Sequence, residues 1–231
     1  MGEQGDSHRG AVSRVYSRYA RSGRKQRAWA ADNPGNAAIR SELLGRIREV
    51  AATELAGDGR ILDVGCGTGW FLRELAQSGI NPGRLRGIDA LPARVAAARE
   101  AAPGAEVEVG DAGNLQFPDG GFAVVVQLTV LSSLGSHRAI RKALGEGMRV
   151  LAPGGLLLVY EPRVPNPFNR HTILLRDGDL DAAGASPREQ STLTLVPALA
   201  RRLGSRTQAR YERLAGVPLL RTHRLIACQR V

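Results

Sequence analysis

The sequence is short of several residue types and of long apolar runs, and each shortage excludes a class of protein. Its 231 residues contain two cysteines, Cys66 and Cys228, too few for a disulfide framework or a zinc site. No apolar run reaches the roughly 18 residues of a transmembrane helix. The first residues are polar and match neither a signal peptide nor the myristoylation pattern. We therefore expect a cytoplasmic protein with no metal site and no membrane partner.

Lysine is also scarce, because 30 of the 32 basic residues are arginine, and the formal net charge is +10. The charge is concentrated at the ends, with a net +5 in residues 1–30 and +7 in residues 201–231. Basic ends can bind nucleic acid or another acidic surface. No basic stretch interleaved with aromatic residues accompanies them, and a compositional bias gives the same arginine content. Nucleic acid therefore stays open as an alternative partner.

The most informative stretch is a glycine-rich turn between a strand pattern and a helix pattern. It reads Ile61-Leu62-Asp63-Val64-Gly65-Cys66-Gly67-Thr68-Gly69-Trp70. The apolar run before Gly65 predicts a buried strand, and the apolar spacing after Trp70 predicts a helix. The three glycines lack Cβ atoms, so the backbone can approach a ligand closely. A dinucleotide fingerprint would need a glycine in place of Trp70, which disfavours nicotinamide nucleotides. A tight turn without a ligand is the remaining alternative.

The pattern G-x-G-x-G with Asp63 two residues upstream resembles motif I of the class I S-adenosylmethionine (SAM) dependent methyltransferases. The resemblance implies that the amino-acid end and the ribose of SAM lie over this turn. A carboxylate such as Asp63 also suits a ligand with an ammonium and a sulfonium, whereas it would repel a pyrophosphate. We therefore expect SAM as the cofactor and a first set of contacts with Asp63, Gly65, Cys66, Gly67, Thr68 and Gly69.

An aspartate follows each of the next two predicted strands. Asp89 ends the strand that begins at Leu85, where a carboxylate can accept hydrogen bonds from two ribose hydroxyls. Asp111 follows the strand of residues 106–109. The resemblance gives Asp111 the adenine amino group and gives the amide of Ala112 an adenine ring nitrogen. A place in a surface turn, or a helix cap, is the alternative for each aspartate.

The remaining cofactor contacts are expected beside these positions. They are Ala90, next to Asp89, and Gln127 and Leu128, at the end of an apolar fourth strand. The turn after that strand corresponds to motif IV of the family, where many small-molecule members have a histidine. This chain has Ser132 and Ser133 there, so no catalytic base is evident in the turn.

The predicted strands and helices alternate, and a turn before the fifth strand, Arg149-Val150-Leu151-Ala152-Pro153-Gly154-Gly155, is similar to a family signature. The resemblance implies an α/β fold with a Rossmann-like, doubly wound sheet of seven strands and helices on both faces. The sheet is mostly parallel, and strand seven is antiparallel between strands five and six. Near the C-terminus, residues 186–189 are typical of a helix start, and residues 191–196 predict the sixth strand.

We divide the chain into three parts. Residues 1–56 form an N-terminal helical lid or cap, residues 57–160 form the SAM-binding core, and residues 161–231 complete the same domain with an acceptor loop and strands six and seven. In the lid, the aromatic residues Tyr16, Tyr19 and Trp29 are candidates to close on the substrate, although packing of a peripheral helix explains them equally.

The acceptor loop follows Glu161 at the edge of the sheet where open α/β folds bind ligands. His171 is a candidate general base, because an imidazole takes a proton near neutral pH. Arg163 and Arg170 could hold an anionic acceptor. All three can instead be solvated surface residues. His223 lies inside the last predicted strand and is expected to pack there.

These expectations together predict a SAM-dependent methyltransferase that methylates an oxygen or nitrogen atom of a small molecule and releases S-adenosyl-L-homocysteine. Two alternatives remain, an RNA methyltransferase that uses the basic ends and a SAM-binding protein without catalysis. Metal-dependent catechol methylation is not expected, because no cluster of carboxylates follows strand four.

Overall fold

Seven strands form one sheet in the computed structural model, which describes residues 33–165, 172–204 and 207–231. In chain order the strands are β1 (Ile61–Val64), β2 (Leu85–Asp89), β3 (Glu106–Val109), β4 (Phe122–Leu128), β5 (Leu151–Pro162), β6 (Pro187–Leu195) and β7 (Arg221–Gln229). Their order across the sheet is β3-β2-β1-β4-β5-β7-β6. β7 is antiparallel to β5 and to β6, and the other pairs are parallel. The predicted fold class is therefore confirmed, including the position of strand seven.

Helices cover both faces of the sheet. They are α1 (Pro34–Val50), α2 (Ala52–Ala56), α3 (Trp70–Gln77), α4 (Pro92–Ala101), α5 (His137–Val150), α6 (Asp177–Asp181), α7 (Pro197–Ala200) and α8 (Thr207–Ala215). One apolar cluster joins the sheet to α1, α3 and α4, and a second joins the opposite face to α5 and α6. A smaller cluster packs α7 and α8 against the start of α1 and the end of β6. Burial on both faces explains why β1 and β4 are almost continuously apolar.

Sequence patterns located the elements of the first two thirds of the chain better than those of the last third. The sequence predicts helices over residues 92–101 and 137–150, and α4 and α5 have these bounds. Ser136 caps α5 by accepting a hydrogen bond from the amide of Ala139 (3.2 Å). The helix start predicted at residues 186–189 is wrong, because Pro187 begins β6 and pairs with Cys228 of β7. The short helices α6 and α8 were not predicted.

The register of the strands brings the ends of four strands to one edge of the sheet. Val64 of β1 is opposite Gln127 of β4, and Leu128 is opposite Tyr160 of β5. Two pairs further along β5, Pro162 is opposite His223 in β7. The turns after β1, β2, β3 and β4 all leave the sheet at this edge, which is where open α/β sheets bind ligands. Within the described ranges, no helix is both long enough and apolar enough to cross a membrane.

Candidate active site

The glycine turn after β1 has an open side at Gly67. Gly65, Gly67 and Gly69 all have positive φ, at 74°, 57° and 77°. A Cβ atom at Gly65 would come within 2.4 Å of Val130, and one at Gly69 within 2.9 Å of Ala98, so these two glycines allow close packing. A Cβ at Gly67 would have no heavy atom within 4 Å. The middle of the turn therefore presents backbone to an open space that a ligand can fill.

Asp89 ties this turn to the end of β2. One carboxylate oxygen accepts a hydrogen bond from the amide of Gly67 (3.0 Å), and the other accepts one from the amide of Leu91 (2.9 Å). The guanidinium of Arg94 is 3.7 Å from the same carboxylate, which is 7% exposed. Each carboxylate oxygen can accept a second hydrogen bond. Asp89 thus holds the shape of the turn and can still accept two ligand hydroxyls.

Asp63 places a second carboxyl group behind the turn. It is almost fully buried in β1, and burial raises the pKa of its carboxyl to about 8, with a further contribution from the negative charge of Asp89. A cation would stabilise its charged form. Cys66 is also buried, and burial raises the pKa of its thiol, so it is unsuited to act as a nucleophile. Thr68 is the exposed residue of the turn.

Asp111 and Ala112 lie after β3, two strands from β1. Both are half-buried. One carboxylate oxygen of Asp111 accepts a hydrogen bond from the amide of Gly113 (2.9 Å), and its carbonyl oxygen accepts one from the amide of Asn114 (3.0 Å). These two hydrogen bonds to Asp111 therefore stabilise the turn. Ala90 is half-buried and follows Asp89, the last residue of β2. In the sheet, β2 lies between β3 and β1.

The side chains of Gln127 and Leu128 lie on opposite faces of the sheet. Gln127 is fully buried under α5, where its amide nitrogen donates a hydrogen bond to the carbonyl oxygen of Ala143 (2.9 Å). Leu128 packs on the other face, against the cluster of α1, α3 and α4. A cofactor contact at Gln127 would therefore come from its main chain.

Glu161 is a residue that the sequence patterns did not single out. It is the penultimate residue of β5 and is fully buried. Its carboxylate accepts hydrogen bonds from the amides of Leu131 (2.6 Å) and Ser132 (3.2 Å) in the turn after β4. Burial raises the pKa of Glu161 to about 7, against the opposing effect of these hydrogen bonds. The amide of Ile173 donates to the carbonyl oxygen of Ser132 (3.0 Å). Glu161 therefore fixes the turn that corresponds to motif IV.

A chain of hydrogen-bonded polar side chains also lies at this edge of the sheet, on the sheet face that packs against α1. The Tyr160 hydroxyl is hydrogen-bonded to Thr194 of β6, whose amide donates to Glu42 of α1 (2.9 Å). The hydroxyl of Tyr211 donates to the same carboxylate (2.6 Å). The ring of His223 stacks on Tyr160 at 4.9 Å between centroids. These residues come from five elements far apart in sequence, so no local pattern could have shown the cluster.

The predicted acceptor residues are only partly described. Arg163 is exposed and donates to the carbonyl oxygen of Arg221 (3.1 Å). The other five candidates lie outside the described residues, namely Tyr16, Tyr19, Trp29, Arg170 and His171. Within the described ranges, no group of three or more His, Cys, Asp or Glu side chains could hold a metal ion.

The segment that returns from the acceptor loop is attached to α5. Asp179, 2% exposed, accepts hydrogen bonds from Nδ1 of His137 (2.7 Å) and from Arg141 (3.0 Å). These contacts and that of Arg176, whose amide donates to the same carboxylate (3.1 Å), lower the pKa of Asp179 despite its burial. The pair of His137 and Asp179 therefore attaches α6 to α5.

Residues 61–155 match the model of a family described as a methyltransferase domain. The demethylmenaquinone methyltransferase of Thermus thermophilus is 41% identical over 107 residues, which cover 44% of this chain and 46% of that protein. The mouse protein named probable tRNA methyltransferase 9B is 33% identical over 122 residues, covering 53% of this chain and 26% of that protein. The chain thus spans less than half the length of either relative.

Solved structures confirm the fold at lower identity. The [4+2]-cyclase SpnF has a TM-score of 0.62 and 22% identity, with 86% of this chain and 85% of that chain covered. A SAM-dependent methyltransferase from Mesorhizobium loti has a TM-score of 0.60 and 20% identity, with 83% and 100% covered. These likenesses establish the architecture alone.

Proposed function

We propose that the protein transfers a methyl group from SAM to an oxygen or nitrogen atom of a small molecule. Residues 61–155 match the model of a methyltransferase domain, and the chain shares its fold with a SAM-dependent methyltransferase. The glycine turn carries this proposal. It has open space at Gly67, whose amide donates a hydrogen bond to Asp89, and the buried carboxyl of Asp63 lies close enough to Asp89 to interact with its charge.

The residues of the site fit SAM along its whole length. Asp111 suits the adenine, Asp89 suits the ribose hydroxyls, and Asp63 suits the ammonium of the methionine part, because each offers a carboxylate to donors of the ligand. The three residues follow the strand order β3, β2, β1, so adenine, ribose and methionine would lie in that order along the edge. Bound SAM supplies a methyl group that its sulfonium charge has already activated.

The chain itself has to orient the acceptor and exclude water. We place the acceptor over the ends of β4 and β5, beside Tyr160 and His223. Burial lowers the pKa of His223 to about 4, so its imidazole is neutral at pH 7 and can accept a hydrogen bond from a hydroxyl or amine. Glu161 keeps the turn after β4 in place for this contact.

Two relatives bear on the class of acceptor. The Thermus thermophilus protein is named for demethylmenaquinone, a small molecule, and its identity to this chain is the higher of the two. The mouse relative favours tRNA as a second candidate, in line with the net charge of +10. The basic side chains give less support to RNA, because several of those near the C-terminus donate to main-chain carbonyl oxygens. Examples are Arg210 to Leu203 (2.6 Å), Arg224 to Leu175 (2.7 Å) and Arg230 to Arg149 (2.8 Å).

Calorimetric titration with SAM tests the cofactor site. The wild-type protein should bind one equivalent, and Asp89→Ala should weaken binding by about 100-fold or more, since two hydrogen bonds to a charged group are lost. Asp58→Ala, in an exposed position before β1, is the matched control and should bind as wild type. Circular dichroism would show that both variants fold. Unchanged affinity in a folded Asp89→Ala protein would refute the ribose assignment.

Salt dependence separates the two acceptor classes. An RNA methyltransferase should bind bulk tRNA with an affinity that falls steeply as salt rises. The small-molecule assignment predicts no measurable tRNA binding at physiological salt and methyl transfer from labelled SAM to compounds in an extract from which nucleic acid has been removed. Methylation of tRNA by the purified protein would reverse the preference.

A further inference from the structure

His223 of β7 has one ring nitrogen that is bound within the protein and one that a ligand can reach. Nδ1 lies 3.0 Å from the hydroxyl oxygen of Thr222. Among the residues that the structure describes, no group forms a hydrogen bond with Nε2, and Nε2 is not one of the buried polar atoms without a partner. The ring is half-buried and stacks on Tyr160, with 13° between the two ring planes. What the ring offers to a ligand therefore depends on which nitrogen carries the hydrogen.

The hydroxyl of Thr222 determines the position of that hydrogen. Its oxygen is 3.2 Å from the carbonyl oxygen of Thr194, which can only accept a hydrogen bond. Because a hydroxyl has a single hydrogen, this contact uses it, and the Thr222 oxygen is left as an acceptor. The contact with His223 then needs a hydrogen on Nδ1. Burial lowers the pKa of His223 to about 4, so the ring is neutral at pH 7 and Nε2 keeps a lone pair.

Thr194 supplies the carbonyl oxygen for this arrangement from a strained backbone conformation. Its φ is 69°, which is rare for a β-branched residue. Three hydrogen bonds hold it there, because its amide donates to Glu42 (2.9 Å), its hydroxyl pairs with that of Tyr160, and its carbonyl accepts from Thr222. Strain of this kind, maintained by surrounding contacts, is concentrated at binding and catalytic sites. The strained residue therefore fixes the partner of Thr222 at the edge where we place the acceptor.

We propose that Thr222 and Thr194 are positioning residues that hold His223 as the Nδ1–H tautomer, so that Nε2 accepts a hydrogen bond from the hydroxyl or amine of the methyl acceptor. This inference rests on the proposed function and deepens it, because it restricts the acceptor to a group with an O–H or N–H hydrogen. Such a hydrogen bond leaves a lone pair of the acceptor atom free to attack the methyl group. The opposite tautomer would present an N–H that competes for this lone pair.

Nitrogen-15 NMR of the ligand-free protein tests the tautomer without knowledge of the acceptor. A spectrum that correlates the imidazole nitrogens with the ring protons distinguishes a protonated nitrogen from a bare one, and comparison with His223→Phe identifies the signals of His223. At pH 7 the wild-type protein should show a protonated Nδ1 and a bare Nε2. Thr222→Val lacks the hydroxyl and should move the hydrogen partly or fully to Nε2, whereas Thr222→Ser should keep the wild-type pattern.

Thr192→Val is the matched control for this measurement, because Thr192 is exposed on the neighbouring strand β6 and its substitution should leave the spectrum unchanged. A protonated Nε2 in the wild-type protein would overturn the proposal. So would a Thr222→Val protein that keeps the wild-type tautomer, since Thr222 would then not set it.

Methyl transfer tests the contact between Nε2 and the acceptor. His223→Phe keeps a ring that can stack on Tyr160 but lacks the lone pair, and it should bind S-adenosylhomocysteine as the wild type does in calorimetry. It should methylate the small molecules of a nucleic-acid-free extract, with labelled SAM, about 10-fold more slowly. Thr222→Val should lose less, about 2- to 10-fold, and Thr222→Ser should rescue most of the rate.

An unchanged rate in His223→Phe would overturn the role of Nε2. Failure of the wild-type protein to bind S-adenosylhomocysteine, or to methylate any component of the extract, would instead refute the proposed function. The tautomer of His223 is read from the ligand-free protein in either case, so the two failures are distinguishable.

Discussion

Replacement of Asp63 by asparagine should stabilise the ligand-free protein and weaken SAM binding. The wild-type carboxyl is buried beside Asp89, and its pKa of about 8 lies above the usual 3.8. Between these two values the folded state binds more protons than the unfolded state, so the free energy of unfolding falls as pH rises from about 4 to about 8. Asparagine keeps the shape of the side chain and removes this ionisation.

The size of the effect follows from the pKa difference. Each pKa unit corresponds to about 1.4 kcal/mol, which sets an upper limit of about 5 kcal/mol on the gain at pH 8. The buried amide also has to be desolvated, at about 1–3 kcal/mol. We therefore expect a net gain of about 2 kcal/mol, which raises Tm by about 4–8 °C in a domain of this size. The gain should shrink toward pH 5.

SAM binding should change in the opposite direction. Loss of the carboxylate that we propose binds the ammonium should cost about 1.5–3 kcal/mol, or about 10- to 100-fold in Kd. In the wild-type protein the affinity should rise from pH 6 to pH 8, because the bound cation stabilises the charged form of Asp63. Thermal unfolding at both pH values and calorimetry with SAM give the two quantities, with exposed Asp58→Asn as control. A variant that is less stable at pH 8, or that binds SAM as tightly as wild type, would refute this account of Asp63.

Three further predictions concern the turns around the site. Gly67→Ala should cost about 1–2 kcal/mol of stability from its left-handed backbone and should impair SAM binding, because the new methyl group enters the open space. Gly69→Ala should lose more stability in denaturant unfolding, since it adds a clash with Ala98 to the same backbone strain, and equal losses would contradict the packing described. Glu161→Gln should reduce the protection of the Leu131 amide against hydrogen exchange by weakening a charged hydrogen bond. Wild-type protein should lose the same protection below about pH 7, after division by the intrinsic exchange rate at each pH; protection that stays unchanged in both would argue against the role of Glu161.

The strands and turns that carry the proposed cofactor residues could be predicted, because their determinants are local. The strand, the turn and the aspartate after each strand follow one another in the chain, and hydrophobic periodicity places each aspartate at a strand end. The direction of the Gln127 side chain could not be predicted from the sequence, because it depends on which face of β4 packs against α5.

The acceptor half depends on contacts between distant segments. The hydrogen bonds of Glu42 join α1 to β6 and α8, more than 150 residues away, and no periodicity reports such a pairing. The start of β6 was mistaken for a helix because a serine followed by a proline and an acid has the local chemistry of a helix start. Pairing with β7 overrode that preference.

With β7 inserted between β5 and β6, the residues proposed for the acceptor lie on different strands from the residues proposed for the cofactor. Residues that suit the cofactor sit beyond β1, β2 and β3, whereas Tyr160, Thr194 and His223 sit on β5, β6 and β7. In the proposed placement the cofactor and the acceptor meet only at β4, so substitutions in β5 to β7 are expected to change selectivity for the acceptor with little effect on affinity for the cofactor. Substitutions in β5 to β7 could then adapt this fold to other acceptors, while the residues proposed to bind the nucleoside stay unchanged.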